Sequence, residues 1–393
     1  MNAKFRNELQ QELDALAQAG TLKHFHTIES PQAPVVRMDG KDDVIVLSSN
    51  NYLGLADHPA VVEAGIRALR EYGAGTASVR FICGKFAVHE HLEAAIADWV
   101  GTEAALTFVS CWTATEGLIP TIANNEKTLI LSDELNHACI IDACRQATKA
   151  RRVIFRHADV DDLRQKLEAN PGYERKLVIT DGVFSMEGDL APLPDLVQIC
   201  RDYDAILMVD DSHGTGVVGA TGRGVAEHFG LLGEIDIITG TLGKALGGAA
   251  GGFVAGPRPL VQYLEQKART QLFSNALPAT VAGSALEALR QLKANPEWVR
   301  RLHENTRWFR NALREAGFSP LEGESAIVPV IIGDTAEAIR LSEELLKHGI
   351  FVTGFGYPVV PEGKARIRFQ VSAAHTREQL GRAVEALKAL KNS

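Results

Sequence analysis

Seven short apolar runs alternate with helical patterns between about residue 43 and residue 255, and this alternation constrains the fold more than any other feature. Most of the runs are rich in β-branched residues and apolar on both faces, as strands are when helices cover both sides of a parallel sheet. They are DVIVLSS (43–49), ALTFVS (105–110), TLILSD (128–133), RVIFRH (152–157), KLVITDG (176–182), AILMVDD (205–211) and DIITG (236–240). Strands that alternate with helices form βαβ units, so we expect an α/β domain with a mainly parallel sheet.

The last third of the chain has a different pattern, in which helices are separated by isolated strands. The predicted elements are a long helix (296–318), a strand (326–333), a helix (335–349) and a strand (365–371). A capping box from Thr376 to Gln379 opens the final helix. We therefore predict an N-terminal helix and arm over 1–45, a large α/β domain over 46–285, and a smaller C-terminal α+β domain over 286–393.

Composition and charge limit the classes of protein to which the chain can belong. Its 393 residues are 46% hydrophobic and 23% charged, which is ordinary for a soluble protein, and no segment has the apolar length of a membrane span. A formal net charge of −8 argues against a general nucleic-acid surface. The five cysteines lack CxxC spacing, and the polar first 20 residues lack a signal sequence's apolar core. We therefore expect a cytoplasmic protein with reduced thiols and no bound metal.

Polar and reactive residues concentrate directly after the carboxyl ends of the predicted strands. Open α/β sheets bind their ligands at this edge. The residues found there are Cys111 and Trp112, Asn136 and His137, Ser185, Asp210 and His213, and Thr241 and Lys244. Each residue alone is weak evidence for a ligand site, but together they predict one such site at this edge.

Lys244 is the one charged residue of the glycine-rich segment TGTLGKALGGAAGG (239–252). Loss of solvation lowers the pKa of a lysine and makes its amine nucleophilic, which suits a Schiff base with an aldehyde cofactor. The alternative is a lysine whose ammonium extends into solvent. The preceding strand, Thr241 and the flanking glycines favour the covalent role.

Asp210 ends an apolar strand, where a buried carboxylate needs a cationic partner. The protonated pyridine nitrogen of pyridoxal phosphate (PLP) would be such a partner, and His213 could then bond the phenolic oxygen. Paired aspartates around a magnesium ion, or a structural strand end, remain alternatives. His137 could stack on a flat cofactor, and a purely structural histidine is the alternative. The N–H groups at Cys111 and Trp112 could receive a phosphate, and a plain strand–helix turn is the alternative there.

Seven ordered motifs together resemble the α-oxoamine synthase family of PLP-dependent enzymes, which have the aspartate aminotransferase fold (fold type I). The motifs are NNYLGL (50–55), ASVRFICG (77–84), SDELNHACIIDACR (132–145), TDGVFSMEGD (180–189), VDDSHGTGVVG (209–219), TGTLGKALGGAAGG (239–252) and ARIRFQVSAAHT (365–376). The resemblance covers nearly the whole chain. It implies fold type I, PLP as the cofactor, and a homodimer whose active site is shared between subunits.

The resemblance also implies roles for individual residues. Lys244 would bond covalently to PLP, and Asp210 would pair with the pyridine nitrogen. His213 and Ser185 would lie at the phenolic oxygen, and His137 would stack on the ring.

The remaining implied contacts concern the cofactor's phosphate and the amino-acid substrate. The implied phosphate contacts are the backbone at Cys111 and Trp112, the Thr241 hydroxyl, and Ser274 from a second subunit. Asn50 and Arg368 would hold the carboxylate of the amino acid, a task that suits the forked guanidinium.

The motifs ASVRFICG, TGTLGKALGG, GYPVVPEGKARIR and SAAHT favour the branch that condenses glycine with acetyl-CoA, an activity of threonine and glycine metabolism. A synthase that uses alanine with a pimeloyl thioester, or one that accepts several thioesters, remains an alternative. A non-catalytic binding protein is a further alternative. The segment GATGRG (219–224) leaves a nicotinamide-dependent oxidoreductase as another. Trp112, Thr115, Lys85 and Gly356 depart from the family pattern, and they could alter the pocket for the acyl-CoA.

Overall fold

A seven-stranded sheet forms the centre of the computed structural model, which describes residues 2–357 and 359–391. The strands are β1 (Val35–Met38), β2 (Lys41–Val46), β3 (Ala104–Phe108), β4 (Thr128–Asp133), β5 (Arg151–Phe155), β6 (Arg175–Asp181), β7 (Ile206–Asp210), β8 (Ile237–Thr241), β9 (Gly252–Gly256), β10 (Ile327–Gly333), β11 (Ile350–Phe351), β12 (Thr353–Phe355) and β13 (Ala365–Gln370).

Helices connect most of these strands, as the alternating pattern predicted. They are α1 (Ala3–Gln18), α2 (Pro59–Tyr72), α3 (Arg80–Cys83), α4 (Ala87–Val100), α5 (Cys111–Ala123), α6 (Ala138–Gln146), α7 (Val160–Glu168), α8 (Leu193–Asp202), α9 (Val225–His228), α10 (Arg258–Lys267), α11 (Arg269–Leu272), α12 (Ala279–Ala294), α13 (Glu297–Glu315), α14 (Thr335–Lys347) and α15 (Arg377–Lys391).

The central sheet has the strand order β3-β9-β8-β7-β6-β4-β5 and is mainly parallel. Only β9 runs antiparallel to both of its neighbours, β3 and β8. In the parallel part, Asp181 pairs with Asp210 and Asp210 with Thr239. The carboxyl ends of β6, β7 and β8 therefore lie level with one another, and the side chains that follow them share one edge.

The core occupies both faces of this sheet. Along β6, Leu177 and Ile179 are fully buried in one hydrophobic cluster, whereas Val178 between them is fully buried in the other. Burying such a side chain stabilises the fold by about 1.5–3 kcal/mol relative to leaving it exposed. Burial on both faces confirms the α/β architecture predicted from apolar runs.

The prediction that residues 43–49 form a strand of the central sheet was wrong. The strand found there, β2, belongs to a separate three-stranded sheet of order β1-β2-β11. Its first three residues, 41–43, are exposed and only 44–46 are buried. A hairpin turn with positive φ at Asp39 (50°) and Gly40 (72°) joins it to β1, so it pairs locally instead of entering the large sheet.

The C-terminal part contains the predicted helices and strands around an antiparallel sheet of order β10-β13-β12. The Thr376 N–H donates to Gln379 Oε1 at 3.0 Å and the Gln379 N–H donates to Thr376 Oγ1 at 3.2 Å, which confirms the capping box. Residue 285, the predicted domain boundary, lies inside α12, which packs against α2. The division into domains stays a prediction.

The N-terminal helix α1 forms as predicted, but its apolar face has no partner within the described chain. Its residues Phe5, Leu9, Leu13 and Leu16 are between 44% and 57% exposed. Across residues 2–357 and 359–391, no helix combines the length and the apolar character needed to cross a bilayer.

Candidate active site

Lys244 lies three residues after β8, at the edge where the carboxyl ends of the parallel strands meet. Its Nζ is 2.9 Å from His213 Nε2. Burial lowers the pKa of Lys244, and the negative charge of Asp210 partly opposes this effect. The amine is therefore less strongly protonated than an ordinary lysine, as a nucleophile requires.

Asp210 is a buried carboxylate, 4% exposed, at the end of β7. Its Oδ1 accepts the Ser212 N–H at 3.0 Å, and its Oδ2 accepts the Cys111 thiol at 3.4 Å. Both donors are neutral, and no cation of the described residues forms an ion pair with Asp210. A buried carboxylate needs such a charge, so this position fits the protonated pyridine nitrogen of a bound PLP.

His137 caps the N-terminus of α6. Its Nδ1 accepts the backbone N–H of Cys139 at 3.2 Å, and the thiol Sγ of the same residue lies 3.0 Å away. Since a backbone N–H can only donate, the ring proton must lie on Nε2. Burial lowers the pKa of His137, so the ring stays neutral and can donate from Nε2.

The start of α5 offers a cradle for an anion. The first N–H groups of a helix have no intrahelical partners, and here they belong to Cys111 and Trp112. A Cβ added to Gly252 would lie 2.2 Å from the Cys111 backbone nitrogen, so β9 can approach α5 only with glycine there. Thr241 Oγ1 donates to Gly251 O at 3.2 Å, and Gly251 forms a β-bridge with the residue before this helix. A phosphate fits this set of donors.

Arg368 on β13 is 9% exposed, and no carboxylate of the described part of the chain pairs with it. Its Nη1 donates to the Ser185 carbonyl at 2.9 Å, and its guanidinium lies 4.5 Å from the centre of the Phe355 ring. Its buried Nε has no hydrogen-bond partner among the residues that the structure describes. By contrast, Arg366 on the same strand pairs with Glu187 at 2.9 Å. Arg368 is thus a buried cation that still needs an anion.

The other predicted site residues, Asn50, Ser185 and Ser274, differ in the hydrogen bonds that they form. Asn50 Oδ1 accepts a bond from Gln370, and the Tyr52 hydroxyl oxygen lies 3.3 Å from it. Ser185 meets Arg368 through its carbonyl rather than through its hydroxyl. Ser274 lies between α11 and α12 and forms no hydrogen bond with these side chains in one subunit, so its predicted role stays a prediction.

Three of the departures from the family pattern have defined contacts in the structure. Thr115 is fully buried in α5, 3.8 Å from the Cys139 sulfur. Lys85 forms an ion pair with Glu90 at 3.2 Å, with both side chains exposed. Trp112 contacts His137 edge to face, with 6.1 Å between the ring centres.

Sequence reasoning missed three buried residues of this site. Tyr52 Oη lies 2.9 Å from His213 Nδ1, and Gln370 Nε2 donates to Tyr52 Oη at 2.9 Å. Asp181 adjoins Asp210 on the next strand, and burial raises the pKa of its carboxyl well above the usual range. Gln370 could have been found, because residues two apart on a strand share a face and Arg368 had been identified.

Residues 42–387 match the model of the family "aminotransferase class I and II". The chain is 46% identical over 385 residues to the mitochondrial 2-amino-3-ketobutyrate coenzyme A ligase of Bos taurus, covering 98% of this chain and 91% of that protein. It is 47% identical over 379 residues to the 8-amino-7-oxononanoate synthase of Symbiobacterium thermophilum, covering 96% of each.

Solved structures agree with this relationship. A structure of SPT with PLP has a TM-score of 0.93 and 33% identity, covering 100% of this chain and 98% of that one. The serine palmitoyltransferase of Sphingomonas wittichii has a TM-score of 0.92 and 32% identity, covering 99% and 98%. The fold is therefore the predicted fold type I, and the chain belongs to the aminotransferase class I and II family and, within it, to the PLP-dependent α-oxoamine synthases.

Proposed function

We propose that the chain condenses glycine with acetyl-CoA to give 2-amino-3-oxobutyrate and coenzyme A, the reaction of glycine C-acetyltransferase (2-amino-3-ketobutyrate coenzyme A ligase). The cofactor is PLP. The observation that carries the proposal is that Asp210, a buried carboxylate with no ion-pair partner among the described residues, lies at the same edge as Lys244, a lysine of lowered pKa. Arg368, which likewise lacks a carboxylate partner among those residues, supports an amino-acid substrate.

The residues present would hold PLP at three places. Lys244 would bond to it, Asp210 would keep its pyridine nitrogen protonated, and Thr241 with the α5 N-terminus would bind its phosphate. When bound, PLP supplies an electron-withdrawing ring that stabilises negative charge at the α carbon of the amino acid.

The remaining residues would act on the substrates. Arg368 and Asn50 orient glycine through its carboxylate, and Lys244 Nζ removes its α proton. The α carbon then forms a bond to the thioester carbonyl while the carbon–sulfur bond breaks and coenzyme A leaves as a thiolate. His137 donates from Nε2 to the carbonyl oxygen as negative charge develops there.

The second candidate is 8-amino-7-oxononanoate synthase activity, which joins alanine to a pimeloyl thioester. It is favoured by the 47% identity to a relative of that name, against 46% for the ligase. The buried Thr115 and the half-exposed Trp112 are places where the acyl pocket could differ between the two.

The test is incubation of the PLP-loaded protein with a matrix of amino acids and acyl-CoAs while thiol release is followed. We expect release with glycine and acetyl-CoA, and the enzymatic product, 2-amino-3-oxobutyrate, keeps the carboxylate of glycine. Release only with alanine and pimeloyl-CoA, together with carbon dioxide, would establish the second candidate. No thiol release from a fully loaded protein would contradict both.

We also propose that the protein acts as a homodimer in the cytoplasm, with Ser274 of one subunit at the phosphate bound by the other. The apolar face of α1 is exposed, and so are Phe81, Ile82 and Phe273, the last adjoining Ser274. A second copy would cover such surfaces. Analytical ultracentrifugation should show a dimer, and a Ser274→Ala variant should bind PLP more weakly; a monomer with unchanged PLP affinity would contradict both points.

A further inference from the structure

A chain of hydrogen-bonded side chains leads from β13 to the amine of Lys244. Gln370 Nε2 donates to Tyr52 Oη at 2.9 Å and also to Asn50 Oδ1. Tyr52 Oη lies 2.9 Å from His213 Nδ1, and His213 Nε2 lies 2.9 Å from Lys244 Nζ. Tyr52 is 0% exposed and Gln370 is 1% exposed, so water does not compete for these bonds.

The hydroxyl proton of Tyr52 has two acceptors within reach, and distance decides between them. His213 Nδ1 is 2.9 Å away, whereas Asn50 Oδ1 is 3.3 Å away. An O–H···O bond usually spans about 2.5–3.0 Å, so the contact with Asn50 is too long to hold the proton. Burial raises the pKa of Tyr52 to about 12, and the hydroxyl therefore remains a donor at neutral pH.

Donation from Tyr52 fixes which nitrogen of His213 carries the ring proton. Burial, together with the positive charges of Lys244 and Arg368 and the neighbouring ring of His137, lowers the pKa of His213 well below its usual range. The ring is therefore neutral, with one nitrogen accepting and the other carrying the proton. Since Nδ1 accepts from Tyr52, the proton lies on Nε2.

We propose that Tyr52 is a positioning residue that fixes His213 as its Nε2–H tautomer in the PLP-loaded protein, where Lys244 would be bonded to the cofactor and would no longer be an ammonium donor, so that the ring donates a hydrogen bond from Nε2. The inference rests on the proposed function only for the identity of the acceptor, which would be the phenolic oxygen of PLP. A donor at that oxygen stabilises its negative charge. A ring with its proton on Nδ1 would instead present a lone pair and repel the oxygen.

The direct test is the ¹⁵N spectrum of histidine-labelled, PLP-loaded protein, in which one-bond and two-bond couplings distinguish the tautomers. A His213→Gln variant assigns the signals. We expect the Nε2–H pattern in the unchanged protein and a shift towards Nδ1–H in Tyr52→Phe, which removes only the hydroxyl. Tyr263→Phe is the matched control, because that tyrosine is 47% exposed and outside the site. The same tautomer populations in Tyr52→Phe and in the unchanged protein would overturn the proposal.

A second readout follows the visible absorption of the loaded protein against pH. Losing a well-oriented donor at the phenolic oxygen should move the midpoint of the absorption change upward by roughly 0.5–1 pH unit in Tyr52→Phe, and by nothing in Tyr263→Phe. In addition, kcat should fall about 3–10-fold in Tyr52→Phe with KM for glycine unchanged. An unmoved midpoint would contradict the role of Tyr52. If the spectra behave as expected but glycine and acetyl-CoA give no product, the proposed function fails while this inference stands.

Discussion

Arg368→Gln and Arg366→Gln should separate substrate binding from stability on a single strand. Both side chains come from β13 and both are buried, but within the described part of the chain only Arg366 has a carboxylate partner, Glu187 at 2.9 Å. Two charge-assisted bonds from Arg368 to the glycine carboxylate would together supply about 3 kcal/mol, so their loss should raise KM for glycine roughly 100-fold. Removing this unpaired cation should change the free energy of unfolding by less than about 1 kcal/mol.

Arg366→Gln is expected to have the opposite effect. Breaking a buried ion pair leaves Glu187 without its cation and should cost about 3 kcal/mol of stability, while KM for glycine changes less than about fivefold. Initial rates at saturating acetyl-CoA and varied glycine give KM, and urea unfolding of the PLP-free proteins gives stability. If KM for glycine in Arg368→Gln stays within about threefold of the unchanged protein, the assignment of the carboxylate to Arg368 is refuted.

Two further perturbations test the cradle at α5 and a partly buried ion-pair cluster. Gly252→Ala places a Cβ 2.2 Å from the Cys111 nitrogen, so the dissociation constant for PLP, measured by equilibrium dialysis, should rise at least about tenfold. Gly172→Ala is the control, because a Cβ there has nothing within 4 Å and the dissociation constant should stay unchanged. His157 lies 3.1 Å from Asp133 and 2.9 Å from Asp189; burial opposes its charge, but these carboxylates raise the pKa of His157 to about 10. Because this folded-state pKa lies above the unfolded value, the stabilisation is complete below about pH 6.5 and is lost as pH rises towards 10. In urea unfolding at pH 6, the free energy of unfolding of His157→Gln should therefore be about 3 kcal/mol lower than that of the unchanged protein, and this difference should vanish by pH 10. A difference that does not depend on pH would contradict the charged state of His157.

The positions of the parallel strands could be predicted because burial on both faces produces continuous apolar runs. β4, for example, was predicted over 128–133 and is found as Thr128–Asp133. β9 was not predicted, because its sequence, GFVAG, is short and glycine-rich, and glycine is there for the close approach to α5. The sequence of β2 predicts the wrong sheet, because its buried half resembles a core strand whereas a local hairpin pairs it with β1.

Site residues that follow strand ends could be predicted from the sequence, whereas those from distant segments of the chain could not. Lys244, Asp210 and His213 follow strand ends, so the topology alone brings them to one edge. Tyr52 and Gln370 come from segments 318 residues apart, and no local pattern marks their hydrogen bond. Such pairs depend on how the C-terminal part of the chain packs against the segment that follows β2, which sequence periodicity does not specify.

The central claim is that Lys244 and PLP together condense glycine with an acyl-CoA. The most direct measurement is the mass of the product formed from glycine with competing acetyl-CoA and pimeloyl-CoA, with Lys244→Ala as the control. The account predicts 2-amino-3-oxobutyrate, or the aminoacetone that it forms by losing carbon dioxide, from the unchanged protein. Lys244→Ala should give no product and, before any amino acid is added, no visible absorption of covalently bound PLP. A PLP-loaded protein that forms no acylated amino acid, or a Lys244→Ala variant that keeps full activity, would contradict it.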